Sequence, residues 1–252
     1  MVPRKSSTHR LESPKLVGLS NAFNRPEADS LDDVYDHIFA SIVDQRLPPG
    51  TKLNELTLCE IFNIGRRQIG QVLIRLSHDR LIALHANRGA FVASPDVAEA
   101  RTIFEARKTI ECEITRMVAT DATREMLAPL RKNVEEETAH RMAGRLREAI
   151  RSSGAFHILL GNLSGNEILA GIVRQLVART SLVVSLYENQ STMSCWHDDH
   201  GDFIDLLEAH RVQPAVTLMR KHLAHVEESL NFNSRARGPL DLRKIYSPQM
   251  RG

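Results

Sequence analysis

The sequence predicts a mostly α protein in two parts: an N-terminal unit of short helices closed by a hairpin, then an all-α bundle. Three observations predict it. Residues 48–93, PPGTKLNELTLCEIFNIGRRQIGQVLIRLSHDRLIALHANRGAFVA, place two short helical patterns ahead of two strand-like runs around a Gly-containing turn. That order is a winged helix-turn-helix. From Pro95 to about Asn231, apolar residues recur at helical spacing and strand signals are nearly absent. Residues 1–29 and 233–252 are polar and aperiodic, and they flank units at 30–95 and 96–232.

The first helix is expected near Leu31–Gln45, with Val34, Ile38 and Ile42 on its apolar face. Pro48-Pro49-Gly50 separates it from a short second helix, for which Asn54 is the N-cap and Leu58, Ile61 and Phe62 point inward. Asn63-Ile64-Gly65 makes the turn. A third helix starts near Arg66 and buries Ile69, Val72, Leu73 and Leu76. Leu81–His85 and Ala90–Ala93 read as paired strands. Further helices are expected near 97–119, 123–142, 145–163, 166–190, 195–210 and 212–231, with Gly144, Gly165 and Pro214 as breakers.

Composition bounds the function. A chain of 252 residues with 42% hydrophobic and 25% charged residues suits a soluble protein with two cores. No uninterrupted apolar run approaches the roughly 18 residues that span a bilayer, and the N-terminus lacks the apolar segment of a secretory signal, so no membrane partner is expected. Cys59, Cys112 and Cys195 are odd in number and far apart, which fits a reducing cytoplasm. Residues 31–95 hold seven Lys/Arg and seven Asp/Glu, so any nucleic-acid binding depends on where charge is placed. The N-terminal tail carries five basic residues and reads as a solvated tail or a basic arm adding phosphate contacts. No G-x-S-x-G elbow, phosphate-binding Gly-rich loop or H-E-x-x-H is present, so an enzyme is not expected.

A helix entering the major groove needs exposed donors near its N-terminus. Arg66, Arg67, Gln68 and Gln71 lie there, off the Ile69/Val72/Leu73 face. Arginine reads guanine and glutamine reads adenine through paired hydrogen bonds. The hairpin tip Asn87-Arg88-Gly89 would set Arg88 against a minor groove or phosphate. With Leu31–Pro95 as a whole, these residues resemble the N-terminal domain of the GntR family of bacterial transcription regulators. The resemblance implies a double-stranded operator as partner. A homodimer reading two half-sites follows, because a pseudo-palindrome mirrors a protein two-fold. The chain departs from the family where DNA is read. Gly65-Arg66-Arg67-Gln68-Ile69-Gly70-Gln71-Val72 stands where the family has Ser-Arg-Thr-Pro-Val-Arg-Glu-Ala, and Leu56 replaces a usual basic residue.

In the second unit His157, His200 and His222 each sit beside apolar positions on separate helical patterns. Neutral imidazoles converging from separate helices suit Zn²⁺ or another borderline divalent ion, and hydrogen-bonded core histidines remain the plainer alternative. Arg107-x-x-x-Glu111, Phe156-His157…Ser164-Gly165-Asn166 and the His200/His222 pair make residues 100–231 similar to an FCD-type domain, which identifies the chain with the FadR subfamily. The resemblance implies a bundle of six or seven helices that holds a small-molecule effector, often an organic acid, and a metal held by one Asp and three His. Ser153 stands at the Asp position, which removes one negative ligand and weakens metal affinity. Its hydroxyl could hydrogen-bond a metal-bound water instead. The effector site would then comprise Arg107, Ser153, His157, His200 and His222, with the histidines binding either metal or effector directly.

Arg107 has two readings, a fork for a ligand carboxylate or a salt bridge to Glu111 one turn on. Glu135-Glu136-Glu137 reads as a solvated helix face. Cys195 to His200 invites a zinc reading, but its spacing fits a solvated helix start better. His210 and His225 read as surface residues and Cys112 as core. The expected function is a ligand-responsive DNA-binding regulator, a repressor of a catabolic operon. The alternative is a metal-dependent enzyme built on His157, His200 and His222.

Overall fold

A computed structural model describes residues 30–188 and 199–233. Helix α1 (Leu31–Val43) opens with a capping box, in which Ser30 and Asp33 satisfy each other's backbone N–H groups. It stops two residues short of the expected Gln45. Gln45 takes the left-handed conformation at φ 55°, and the N–H groups of Arg46 and Leu47 return to the Ser41 carbonyl. Asn54 caps α2 (Glu55–Phe62) by accepting from the Thr57 N–H at 3.1 Å. Leu58 and Phe62 are buried, while Ile61 packs on the core only in part. Asn63, at φ 55°, ends α2 and swings the chain into α3 (Arg66–His78).

Strands β2 (Ile82–His85) and β3 (Gly89–Val92) form the wing; β2 starts one residue later than expected and β3 lies one residue earlier. A third strand, β1 (Lys52–Leu53), was not expected. It pairs antiparallel with β3 and sets Lys52 opposite Phe91, giving the order β1-β3-β2. Two residues carry no periodicity, so only the pairing reveals β1. At the wing tip Asn87 and Gly89 both have positive φ, 61° and 91°, which an Asn and a Gly accommodate best.

The bundle follows as α4 (Val97–Asp121), α5 (Arg124–Met142), α6 (Leu146–Leu163), α7 (Glu167–Tyr187), α8 (Asp199–Glu208) and α9 (Val212–Glu228). Six bundle helices thus stand among the described residues. Helix α4 lies against α9 and α7, α6 lies between α5 and α7, and α8 pairs with α9. Cys112 is buried, as its apolar surroundings imply.

Helix α7 joins the two units. It is the one described helix long and apolar enough to cross a membrane, but half of its apolar window is buried inside the protein. Val173 and Val177 belong to the bundle core, whereas Ala178 and Leu182 belong to the core of the N-terminal head. Polar contacts reinforce the seam. Arg174 bonds Asp36 of α1 at 2.6 Å and lies 4.1 Å from the Phe39 ring centroid. Asp79, the C-cap of α3, accepts from Tyr35 Oη at 2.6 Å and from the Gln175 amide.

Candidate functional site: a three-histidine centre and a reading head

His157 on α6, His200 on α8 and His222 on α9 come together in the bundle, with one ligand nitrogen of each within 4.8 Å of the others. Their ring centroids lie 4.6 to 5.4 Å apart. Each ring has a carboxylate behind Nδ1. His157 meets Glu111 Oε2 at 2.6 Å and His200 meets Glu137 Oε2 at 2.9 Å. His222 Nδ1 faces Asp199 Oδ2 at 3.7 Å, longer than a hydrogen bond. An ionised carboxylate only accepts, so Nδ1–H of His157 and His200 donates and the Nε2 lone pair is left for another partner. Nε2 of His200 and of His222 is buried with no hydrogen-bond partner.

Arg107 makes the salt bridge to Glu111 one turn on. Its Nε bonds Glu111 Oε1 at 2.6 Å, while its Nη2 is buried with no hydrogen-bond partner. Burial by itself would raise the Glu111 carboxyl, but Arg107 and His157 outweigh it and hold the pKa at about 2. Burial lowers His157 to about 3 and, with the nearby His200, lowers His222 to about 4. Ser153 is buried one helical turn before His157. The gap beside the histidines, lined by Asp199, His200, Phe203, Leu218, Met219 and His222, is too tight in this conformation to admit a water-sized sphere.

These shifts set an acid response. His157 and His222 stay neutral in the fold below pH 6.5, where the unfolded chain takes up their protons. Stability is therefore full above the unfolded value and falls as pH drops from about 6.5 toward 4. Glu111 adds a further loss between its ordinary value, 4.5, and about 2. In chelator, unfolding free energies from denaturant titrations at pH 7, 6 and 5 should decline with a slope approaching about 2.7 kcal/mol per pH unit, two protons' worth. A flat profile would contradict buried, neutral histidines.

One expectation needs correction. Glu137 does not lie on a solvated face: it is 5% exposed, while Glu135 and Glu136 are exposed. The i,i+4 periodicity of α5 turns Glu137 inward with Asn133, and His200 gives it a partner. His210 is exposed, with Nδ1 3.0 Å from the Ala119 carbonyl, and His225 is half-buried. Cys195 and His197 lie outside the described residues.

In the head, Arg66, Arg67, Gln68 and Gln71 are all exposed near the start of α3. Arg67 and Gln71 are opposite the buried Ile69/Leu73 side. Arg66 is held by Glu55 of α2, Nε to Oε2 at 2.8 Å. Gln68 departs from a free reading residue, because its Oε1 accepts from the Gly65 N–H at 3.0 Å and caps α3. Only its amide N–H groups remain for a base. Gly70 has nothing within 4 Å of where a Cβ would stand. Asn87, Arg88 and Gly89 form the exposed wing tip, and Lys52 and Arg88 both lie 5.9 Å from the Phe91 ring centroid. Sequence reasoning missed Lys52, since β1 alone brings it to the wing. Leu56 is 63% exposed where a basic residue is usual.

Residues 31–92 match the family described as bacterial regulatory proteins, gntR family, and residues 102–225 match the FCD domain. The HTH-type transcriptional repressor RspR of Escherichia coli (strain K12) is 23% identical over 198 residues, 78% of this chain and 87% of that protein. The Nta operon transcriptional regulator of Aminobacter aminovorans is 26% identical over 213 residues, 82% of this chain and 98% of that protein. A GntR transcriptional regulator from Rhodococcus sp. RHA1 shares the fold at a TM-score of 0.67 and 19% identity, covering 79% of this chain and 95% of that one. E. coli McbR/YncC shares it at a TM-score of 0.67 and 16% identity, covering 80% and 99%. With both units matched in order, this chain belongs to the gntR family of bacterial regulatory proteins and is a ligand-responsive, DNA-binding transcriptional regulator with an FCD domain.

Proposed function

We propose that this regulator is a homodimeric repressor whose bundle holds a divalent metal, Zn²⁺ or a similar ion, through His157, His200 and His222. One observation carries the reading. Three buried nitrogens, Arg107 Nη2, His200 Nε2 and His222 Nε2, lack hydrogen-bond partners in a centre whose histidines are backed by carboxylates. Buried polar atoms are rarely left so without a ligand to meet them. A bound ion would supply a positive centre with open positions for water or a carboxylate. Ser153 supplies no negative ligand, so Arg107 is the residue assigned to an effector carboxylate. The named relatives are regulators, one of them a repressor, which favours regulation over the metal-dependent enzyme.

Operator contacts are assigned to Arg66, Arg67, Gln68, Gln71, Asn87, Arg88 and Gly89, with Lys52 added beside the wing. The test is a binding site selected from a random duplex pool. Arg66→Ala should weaken affinity for it about tenfold or more, within the range of one bidentate arginine contact. Glu55→Gln should strengthen it, by freeing Arg66 and removing a carboxylate from the phosphate side. Affinity should fall steeply with salt. Equal binding by Arg66→Ala and the parent would remove Arg66 from the interface. Metal content of His157→Ala against the parent tests the bundle: equal content would exclude His157 as a ligand.

A further inference from the structure

We infer that Glu137 is a positioning residue of the three-histidine centre, setting the tautomer and orientation of His200; this rests on the metal reading above. A carboxylate taken out of water is costly unless it is paired, so its partners reveal its task. Glu137 is 5% exposed. Its Oε2 lies 2.9 Å from His200 Nδ1, and its Oε1 lies 3.8 Å from Arg141 Nη2 at the outer edge of the bundle.

The consequence for His200 is geometric. With Nδ1–H donating to Glu137, the lone pair sits on Nε2, the atom left without a hydrogen-bond partner. Phe156 stacks on the same ring, centroids 4.0 Å apart and planes 18° from parallel. One face and one edge of the imidazole are therefore fixed, and the buried Nε2 is the atom left to serve with His157 and His222. The arrangement repeats that of Glu111 behind His157.

The electrostatics distinguish Glu137 from Glu111. Three neutral imidazoles bring no negative charge to an ion. Glu111 is already neutralised by Arg107 at 2.6 Å with both side chains buried. The partner of Glu137, Arg141, is farther away and 31% exposed, so its charge is better screened. Glu137 thus contributes negative charge behind a ligand histidine in a site whose own ligands carry none. An outer carboxylate of this kind raises imidazole basicity, and its loss typically costs 10- to 100-fold in metal affinity.

The experiment measures Zn²⁺ binding to the full chain by competition with a chromophoric chelator. It compares the parent with Glu137→Gln, Glu137→Ala, His200→Ala and the Glu137→Ala/His200→Ala double variant. Glu137→Gln keeps the size and a hydrogen-bond acceptor but drops the charge, and should weaken binding about 10-fold. Glu137→Ala releases the ring and should weaken it about 100-fold. In the His200→Ala background, removing Glu137 should have little further effect. Nitrogen-15 shifts of the metal-free protein should show His200 protonated at Nδ1 in the parent and as a tautomer mixture in Glu137→Ala. Matching melting temperatures for Glu137→Gln and the parent establish that its fold is intact. Parent-like Zn²⁺ affinity in Glu137→Ala, or an undiminished loss in the His200→Ala background, would overturn the assignment while leaving the metal reading standing. Failure of the parent to bind Zn²⁺ would overturn both.

Discussion

Replacing Arg107 by Met should destabilise the bundle by about 3–5 kcal/mol, the usual result of stripping one partner from a buried ion pair. Glu111 is 1% exposed and would be left as a carboxylate facing only an imidazole. For a chain of this size the melting temperature should fall by on the order of 10 °C. Most of that loss comes from stranded charge, so the Arg107→Met/Glu111→Gln double variant should recover most of it. The amide that replaces the carboxylate would keep an acceptor for His157 Nδ1–H without a charge to solvate. Thermal melts of the parent, both single variants and the double variant measure the coupling. Strict additivity would mean that the Arg107–Glu111 bond at 2.6 Å carries no net energy. The double variant should also lose any response to a carboxylate effector, because Arg107 Nη2 goes with it.

Leu182→Ala should cost about 2–5 kcal/mol, and the damage should appear in the DNA-binding head as well as in the helix that carries the mutation. Leu182 is fully buried and lies in the cluster of Val34, Ile38, Leu73 and Leu76, the core that seats α1 and α3. Hydrogen exchange should quicken at amides of α1 and α3, and DNA affinity should fall although no reading residue has changed. Protection confined to its parent values in the head would mean that α7 merely touches it. The same seam gives the bundle a physical hold on the reading helix. Gln175 bonds Asp79 at the C-terminus of α3, and Arg174 pins Asp36 and Phe39 of α1. On its other side α7 packs against α6, the helix that bears His157. A ligand favouring one α6–α7 arrangement over another would bias head placement by that difference in affinity alone.

Much of this was legible along the chain because it is local. Asn54 announces α2 through a cap that acts over three residues. The apolar rhythm of α3, with Ile69, Val72, Leu73 and Leu76, places its buried side and leaves Arg67 and Gln71 opposite. The histidines were legible differently. Periodicity turned each inward, but their meeting depended on family resemblance, since residues 43 and 65 positions apart share no local geometry. Glu137 misled for the same reason. Three consecutive glutamates look alike until His200 of a distant helix selects one of them.

By itself, the sequence determined the helical order, the wing, the breakers, the class of the DNA-binding head and the residues able to carry function. These follow from hydrophobic period, turn chemistry and residue type, which act over a few positions. Tertiary structure alone decided which carboxylate stands behind which imidazole, that β1 brings Lys52 to the wing, and that α7 belongs to both cores. Each of these is a contact across a long stretch of chain, fixed by packing and by the need to pair buried charge, and neither requirement leaves a periodic trace in the residues.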